Sequence, residues 1–431
     1  MNIDAVKRVH MIGVGGIGMS ALARLLVHDG KTVSGSDRAE SPITDKLTEL
    51  GITFSERQVK VNITNDIELV IYTEAMSEDN EEMQAARKLG VPMMNYFKAL
   101  GLVANQYYLI AVSGTHGKTT TTAMLTDVLE EASFDPTVVV GSLRSKTGSN
   151  FRAGKSKYAI VEACEYRRNF LSLTPDVLVI TNIEAEHLDY FKSLEDIEQA
   201  FGELVGQVHE EGVVVCNPAN QSVKRAVENA VAGVVDYTKF IDPLLQLKVP
   251  GTHNFQNAGA ALAVAAYLGI DKKEAHTALE HFAGTWRRFE YKGVMETGAL
   301  VYDDYAHHPT EIAAAIDAAR ELYPDKQITV VFQPHLYSRL AELFEGFVTS
   351  LSTADRLIVT DVYDARHTYK TDVDSEKLVQ ALKGHRSTEY IAALEDIADY
   401  LKRHADTNDV ILILGAGDIV NLSPKLVKGT G

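Results

Sequence analysis

The sequence predicts an α/β protein of three domains built on mostly parallel sheets, and three observations carry that expectation. Short apolar runs recur along the 431 residues with helix-length segments between them, the alternation that parallel strands joined by crossover helices require. Two separate glycine loops each follow such a run. The strand-and-helix pattern also restarts twice, once before Tyr108 and once after the helix-rich stretch from Asn254 to Phe282.

The first run, Val9 to Val14, leads into Gly13-Val14-Gly15-Gly16-Ile17-Gly18 and a helical stretch, Met19 to His28. Glycines so spaced let the backbone turn tightly and approach a pyrophosphate, which then sits at the positive end of the helix. Asp37 ends the next strand, Thr32 to Ser36, nineteen residues beyond Gly18, where a ribose-binding acid usually stands. The alternative, a glycine-rich turn used only for packing, stays open at this point. Leu69 to Tyr72 adds a buried strand, and the pattern pauses at Ala104 to Tyr107, giving a first domain of residues 1–105.

Strand Tyr108 to Val112 opens the second domain and runs into Ser113-Gly114-Thr115-His116-Gly117-Lys118-Thr119-Thr120, then a helix to about Glu131. This is the core of a phosphate loop: backbone N–H groups around a β-phosphate, Lys118 on the β/γ oxygens, Thr119 toward Mg²⁺. Val112 stands where the strict pattern has its first glycine. Glu162 ends the strand before Ala163, and Asn182-Ile183-Glu184-Ala185-Glu186-His187-Leu188-Asp189 follows strand Val177 to Thr181. Carboxyl ends of parallel strands share a crevice, so Thr119, Glu162 and His187 form a candidate metal set, although a lone loop histidine is more often structural. The second domain ends near Glu290 to Gly293, at residues 106–290. Runs at Leu300 to Tyr302, Ile328 to Phe332, Leu357 to Thr360 and Val410 to Leu414 predict the sheet of a third domain, 291–431.

Composition excludes several functions. A net charge of −17 leaves no general surface for nucleic acid, whose phosphates are bound by clustered Lys and Arg. The two cysteines, Cys164 and Cys216, are too few for a disulfide framework and fit a reducing compartment. Neither a signal-peptide core nor a run of about 20 apolar residues occurs, so no membrane association is expected and the cytoplasm is the expected address.

Several further motifs stand in order with these loops: Ile12 to Ser20, Gly35-Ser36-Asp37, Gly114 to Thr120, Thr181-Asn182-Ile183 with His187, and Gly251-Thr252-His253-Asn254 with Asn257. Arg287-Arg288-Phe289, Asp303-Asp304-Tyr305-Ala306-His307-His308-Pro309-Thr310-Glu311, and Gln333-Pro334-His335 with Tyr337-Ser338-Arg339 complete the series. Jointly they resemble the Mur ligase family over nearly the whole chain. The resemblance implies an N-terminal Rossmann-like unit holding a UDP-sugar, a central P-loop-type ATPase and a C-terminal Rossmann-like unit bringing an amino acid.

What the resemblance implies chemically is an ATP- and Mg²⁺-dependent amide ligation between UDP-N-acetylmuramate and L-alanine. Gly15, Gly16, Ile17, Gly18, Ser20, Ser36 and Asp37 would face the UDP-sugar; Gly114, Thr115, His116, Gly117, Lys118, Thr119 and Thr120 would hold the triphosphate. Thr119, Glu162 and His187 would bind the metal, and His253, Asn254 and Asn257 would face adenine. Arg287 and Asp303 would contact the nucleotide on domain closure, and His308, His335 and Arg339 would form the alanine side. A monomer or homodimer is expected.

The chain departs from the family pattern in four places. Cys164-Glu165-Tyr166-Arg167-Arg168-Asn169-Phe170 follows Glu162-Ala163 where D-E-S-D is expected, bringing two cations toward the reacting carboxylate. Val235 to Val249 is short, Glu195 to Val205 lacks a lysine, and His367, after Ala365-Arg366, replaces an expected acid. Rival readings are a sister ligase adding a murein peptide to the same UDP-sugar, a non-catalytic nucleotide-binding relative, and an NAD-dependent oxidoreductase, which leaves Gly114 to Thr120 unexplained.

Overall fold

The computed structural model describes residues 3–364, 372–384 and 387–427; Ala365, Arg366 and His367 therefore lie outside the described residues. The chain forms two compact units. One holds the chain up to Glu184 together with Leu194–Asp242 and Asn257–Leu279, and the other holds Ala185–Ser193, Pro243–Gln256 and the chain from Glu280 onward.

The first unit contains two sheets. Strands β1 (Arg8–Ile12), β2 (Thr32–Ser36), β3 (Thr53–Ser55), β4 (Leu69–Tyr72) and β5 (Met93–Asn95) pair in the order β3-β2-β1-β4-β5, all parallel. The order reverses between β1 and β4, which creates a crevice at their carboxyl ends. The first glycine loop leaves β1 there.

The second sheet comprises β6 (Tyr108–Ser113), β7 (Thr137–Arg144), β8 (Ser149–Arg152), β9 (Tyr158–Glu162), β10 (Val177–Ile180), β11 (Val213–Cys216) and β12 (Gly233–Asp236), ordered β12-β11-β10-β6-β9-β7-β8. Only β8 is antiparallel. β6 lies between β9 and β10, so its loop emerges where two crossovers diverge. β6, β10 and β11 are apolar and buried throughout their centres, as strands covered on both faces must be. Beyond β12 the chain makes a single 3₁₀ turn, Tyr237–Phe240, before helix Thr252–Tyr267, a trimmed edge that accounts for the short Val235 to Val249 stretch. The helix after the first glycine loop, Ile17–His28, packs on β7 and β8, which ties the two sheets of this unit together.

The second unit contains β13 (Glu290–Val294), β14 (Leu300–Asp304), β15 (Gln327–Phe332), β16 (Arg356–Val359), β17 (Ser387–Tyr390) and β18 (Asp409–Leu414), ordered β13-β14-β18-β15-β16-β17. Only β13 is antiparallel. One face buries Ile316, Phe332 and Leu412 and the other Ile358, Ile411 and Leu401. Each apolar run expected to be a strand lies in one, with ends moved by one or two residues. Absent from the expected strands are β3, β5, β8, β12, β13 and β17 at sheet edges, and the interior β7 and β11.

Candidate active site

The first glycine loop is shaped from beneath. The Gly13 and Val14 amides donate to the Ser36 carbonyl at 2.8 and 3.0 Å, and the Gly15 amide donates to Asp37 Oδ2 at 2.8 Å. Gly13 has φ of +82°, and a Cβ there would meet Thr73 at 2.6 Å; only glycine meets both demands. Helix Ile17–His28 begins at Gly16 with no side-chain cap, which leaves its first amides available to an anion.

Two of the residues expected at the sugar nucleotide are engaged differently. The Ser36 side chain is buried and donates to Glu82 Oε2 at 2.6 Å. Glu82, itself fully buried, also takes Asn62 Nδ2 at 2.6 Å and faces His10 Nε2 at 3.3 Å. The Ser36 hydroxyl therefore supports the sheet below the loop, because Glu82 needs donors that burial denies it from water. The Ser20 hydroxyl donates to the Ile17 carbonyl at 2.9 Å and takes the Asn150 amide at 3.3 Å, a contact from β8.

The phosphate loop is clamped by the segment after β10. Asn182 accepts the His116 amide at 2.9 Å and donates to the His116 carbonyl at 3.1 Å. Thr181 Oγ1 donates to that carbonyl at 2.6 Å, the Thr115 amide donates to the Asn182 carbonyl at 3.0 Å, and the Glu184 amide donates to Thr115 Oγ1 at 2.8 Å. Gly117, at φ +83°, caps helix Lys118–Glu131 and lies against Asn257, where a Cβ would meet Oδ1 at 2.5 Å. Asn257 also takes the Thr121 hydroxyl at 3.2 Å, so in this unit it braces the loop.

Lys118 Nζ donates to the Gly114 and Thr115 carbonyls at 2.6 and 3.0 Å and pairs with Glu165 at 3.0 Å. Thr119 Oγ1 donates to Glu162 Oε1 at 2.9 Å, while Glu162 Oε2 accepts the Gly141 amide at 2.6 Å. These are hard oxygens beside a phosphate loop, the donor set that Mg²⁺ prefers when it keeps several waters and shares a triphosphate. Thr119 and Glu162 fit that ion. His187 belongs to the other compact unit, at φ +56°.

The departing segment has an electrostatic explanation. Arg167 and Arg168 both have left-handed backbone, φ +54° and +57°, a conformation that costs non-glycine residues about 1–2 kcal/mol each. Arg168 pairs with Asp196 and Glu203, each at 2.6 Å, acids of the helix Leu194–Val205 that carries no lysine. Arg167 is half-exposed and reaches Glu74 at 3.3 Å. Burial, with the Glu165 carboxylate beside it, pushes the Cys164 thiol up to about 12, so it is no thiolate nucleophile.

In the second unit, His335 Nδ1 lies 3.0 Å from Arg339 Nη1, and Arg339 Nη2 donates to Glu186 at 3.1 Å. His307 Nε2 stands 3.5 Å from the same Glu186 oxygen. Burial opposes ionisation of Glu186, but the His307 hydrogen bond and the charges of His187, Arg339 and His307 hold it well below the usual carboxylate range. Glu186, His187, Ser338, Arg339 and Glu342 line a shallow, open pocket. His308 caps helix Pro309–Leu322, Nδ1 accepting the Thr310 amide at 3.3 Å, while Nε2 stands 3.4 Å from the Ala185 carbonyl.

Arg287 and Asp303, expected at the nucleotide on domain closure, form a buried ion pair at 3.1 Å, and Arg287 Nη2 donates to the Gly415 carbonyl at 2.5 Å. Burial raises the Asp303 pKa against the pull of Arg287, and Asp303 Oδ2 has no hydrogen-bond partner among the described residues. Asp303 keeps one acceptor available, whereas Arg287 is committed within its own unit. Of the expected adenine set, Asn254 is buried and donates to the Pro250 carbonyl at 2.6 Å, while His253 is exposed.

Residues 8–108 match the Mur ligase family catalytic domain, 112–242 the Mur ligase middle domain and 287–417 the Mur ligase glutamate ligase domain. The chain is 41% identical to the UDP-N-acetylmuramate–L-alanine ligase of Clostridium acetobutylicum, over 99% of this chain and 98% of that one. The chain is a Mur ligase. A second enzyme of that name, from Caldanaerobacter subterraneus, is 38% identical over 99% of both chains. The crystal structure of UDP-N-acetylmuramate-alanine ligase from Thermotoga maritima matches with a TM-score of 0.80 and 30% identity, over 97% of each chain. A murein peptide ligase from Psychrobacter arcticus shares the fold, at a TM-score of 0.72 and 23% identity.

Within this Mur ligase, the sequence reading missed Glu165, Glu186, His307 and the clamping role of Asn182. Each adjoins a motif residue in the chain, but its role depends on a partner brought from elsewhere by the fold. No helix among the described residues is long and apolar enough to cross a membrane.

Proposed function

We propose that this ligase joins L-alanine to the lactyl carboxylate of UDP-N-acetylmuramate, driven by ATP, in peptidoglycan precursor synthesis. A carboxylate is a poor electrophile. Its attack on the γ-phosphate of ATP breaks the β–γ bridging P–O bond, giving an acyl phosphate and ADP; the amine of alanine adds to that carbonyl and loses a proton, and the tetrahedral intermediate expels phosphate to leave the amide. Catalysis of this kind is mostly positioning and charge neutralisation.

The observation that carries the reading is that one compact unit holds both anion cradles, with Lys118, Thr119 and Glu162 converging at the second. The loop amides and Lys118 take the triphosphate, Lys118 exchanging its loop carbonyls and Glu165 for phosphate oxygens. Thr119 and Glu162 would hold Mg²⁺, which supplies neutralising charge to the transferring phosphoryl group. In the second unit, Arg339 is the group suited to the alanine carboxylate, since a guanidinium holds carboxylate bidentately. We place the reaction in the cytoplasm.

The test is phosphate release from ATP with UDP-N-acetylmuramate and each candidate amino acid or murein tripeptide in turn. Release dependent on L-alanine is expected; release with tripeptide alone, or with no acceptor, overturns the reading.

A further inference from the structure

Between the two anion cradles of the first unit stands a side chain that belongs to neither motif. Tyr96 opens helix Tyr96–Ala104 directly after β5. A Cβ built on Gly18 would fall 2.8 Å from Tyr96 Cζ and 2.9 Å from its hydroxyl oxygen, so the phenol lies against the last glycine of the first loop. From the other side it is within electrostatic reach of the Glu162 carboxylate and the Cys164 thiol; burial, then those two groups, raise its pKa and keep it a neutral O–H donor.

The Tyr96 side chain is half-buried, and a tyrosine hydroxyl at such a place is open to a hydrogen-bond partner from solvent or a ligand. That of Tyr96 has none among the described residues. Its position is nonetheless fixed. Asn95 caps the helix by accepting the Lys98 amide at 2.9 Å and donates its own amide to Glu74, which Arg167 also reaches.

We propose that Tyr96 is a substrate-positioning residue: its hydroxyl donates a hydrogen bond to the acid substrate, in the span between the diphosphate on the first loop and the carboxylate presented beside Glu162. The assignment rests on the function proposed above. A neutral donor suits this place. A cation there would pair with Glu162 and compete with the metal, whereas a phenol can steady an anionic or carbonyl oxygen without doing so. Packing alone would require only the ring.

Tyr96→Phe separates the two roles, because it keeps the ring on Gly18 and removes only the O–H. With ATP and L-alanine saturating, the KM for UDP-N-acetylmuramate is expected to rise about tenfold, the worth of one neutral hydrogen bond. The KM values for ATP and L-alanine, and the thermal midpoint, are expected to stay at wild-type values. An unchanged KM for the acid overturns the assignment, as does a proportional loss for all three substrates or a lowered thermal midpoint. Wild-type turnover with an unaffected phenylalanine variant would sink the tyrosine alone, while a wild-type enzyme that releases no phosphate with this acid overturns both proposals.

Discussion

Replacing Asn182 by alanine removes both bonds that its side chain makes to His116, the acceptor contact at 2.9 Å and the donor contact at 3.1 Å. His116 sits at the centre of the phosphate loop, and Thr181 retains a single bond to its carbonyl. Two hydrogen bonds to a half-buried side chain are worth about 2 kcal/mol together. If the loop relaxes without them, ATP must restore the competent shape at that cost, which is a rise in its KM of ~30-fold. Asn182→Asp, which still accepts from the amide but cannot donate to the carbonyl, should fall between wild type and alanine. The assay is initial-rate phosphate release against ATP at fixed acid and alanine, with a separate titration of UDP-N-acetylmuramate, which is proposed to bind at the other loop and should be unaffected. A variant with lowered thermal stability and an unchanged KM for ATP would refute the reasoning, since Asn182 would then support the fold and not the loop.

Lys118→Ala is expected to abolish ligation while leaving UDP-N-acetylmuramate binding near wild type, because the described Nζ bonds lie at the second cradle; equal loss of both by calorimetric titration would contradict that separation. Arg339→Lys keeps the charge but loses the planar fork, so the KM for L-alanine should rise by about tenfold or more, and an unaltered value would remove Arg339 from the amino-acid side. Asp304 is held at a pKa of about 6, chiefly by burial, despite hydrogen bonds from the Phe289 and Ala306 amides. Because the folded value lies above the unfolded one, the folded state binds the proton more tightly, and this group's contribution declines as pH rises from about 4 to about 6. The loss is up to ~3 kcal/mol. Denaturant unfolding of Asp304→Asn across that range should lack this component, and parallel pH profiles for the two proteins would exclude it.

How much the sequence disclosed follows from what each residue needs. Strands such as β6 and β10 are apolar on both faces because helices cover both, so they stand out as continuous runs. β3, β5, β8, β12 and β17 lie at sheet edges, where one flank is open and the run is short and mixed. The glycine loops were legible because their backbone geometry restricts residue type. Partner choice was not. Nothing beside Ser36 announces that Glu82, 46 residues away, will claim its hydroxyl. The pairing of Arg287 with Asp303 is equally silent in the one-dimensional pattern. His308 is an intermediate case, because Pro309 after it already marked a helix start, and the cap is what the structure contains. The two arginines after Glu165 looked like cations aimed at the reacting centre; Arg168 is instead neutralised by two acids of a neighbouring helix.

Gly141 shows how far the chemistry extends into the scaffold. It has no functional group, yet its amide holds Glu162, and a methyl added there would press within 2.7 Å of both carboxylate oxygens. Even alanine would have to push the acid aside from Thr119. The emptiness at that position is what lets the Glu162 carboxylate keep its place beside Thr119, so a residue with no side chain sets the geometry on which the proposed phosphoryl transfer depends.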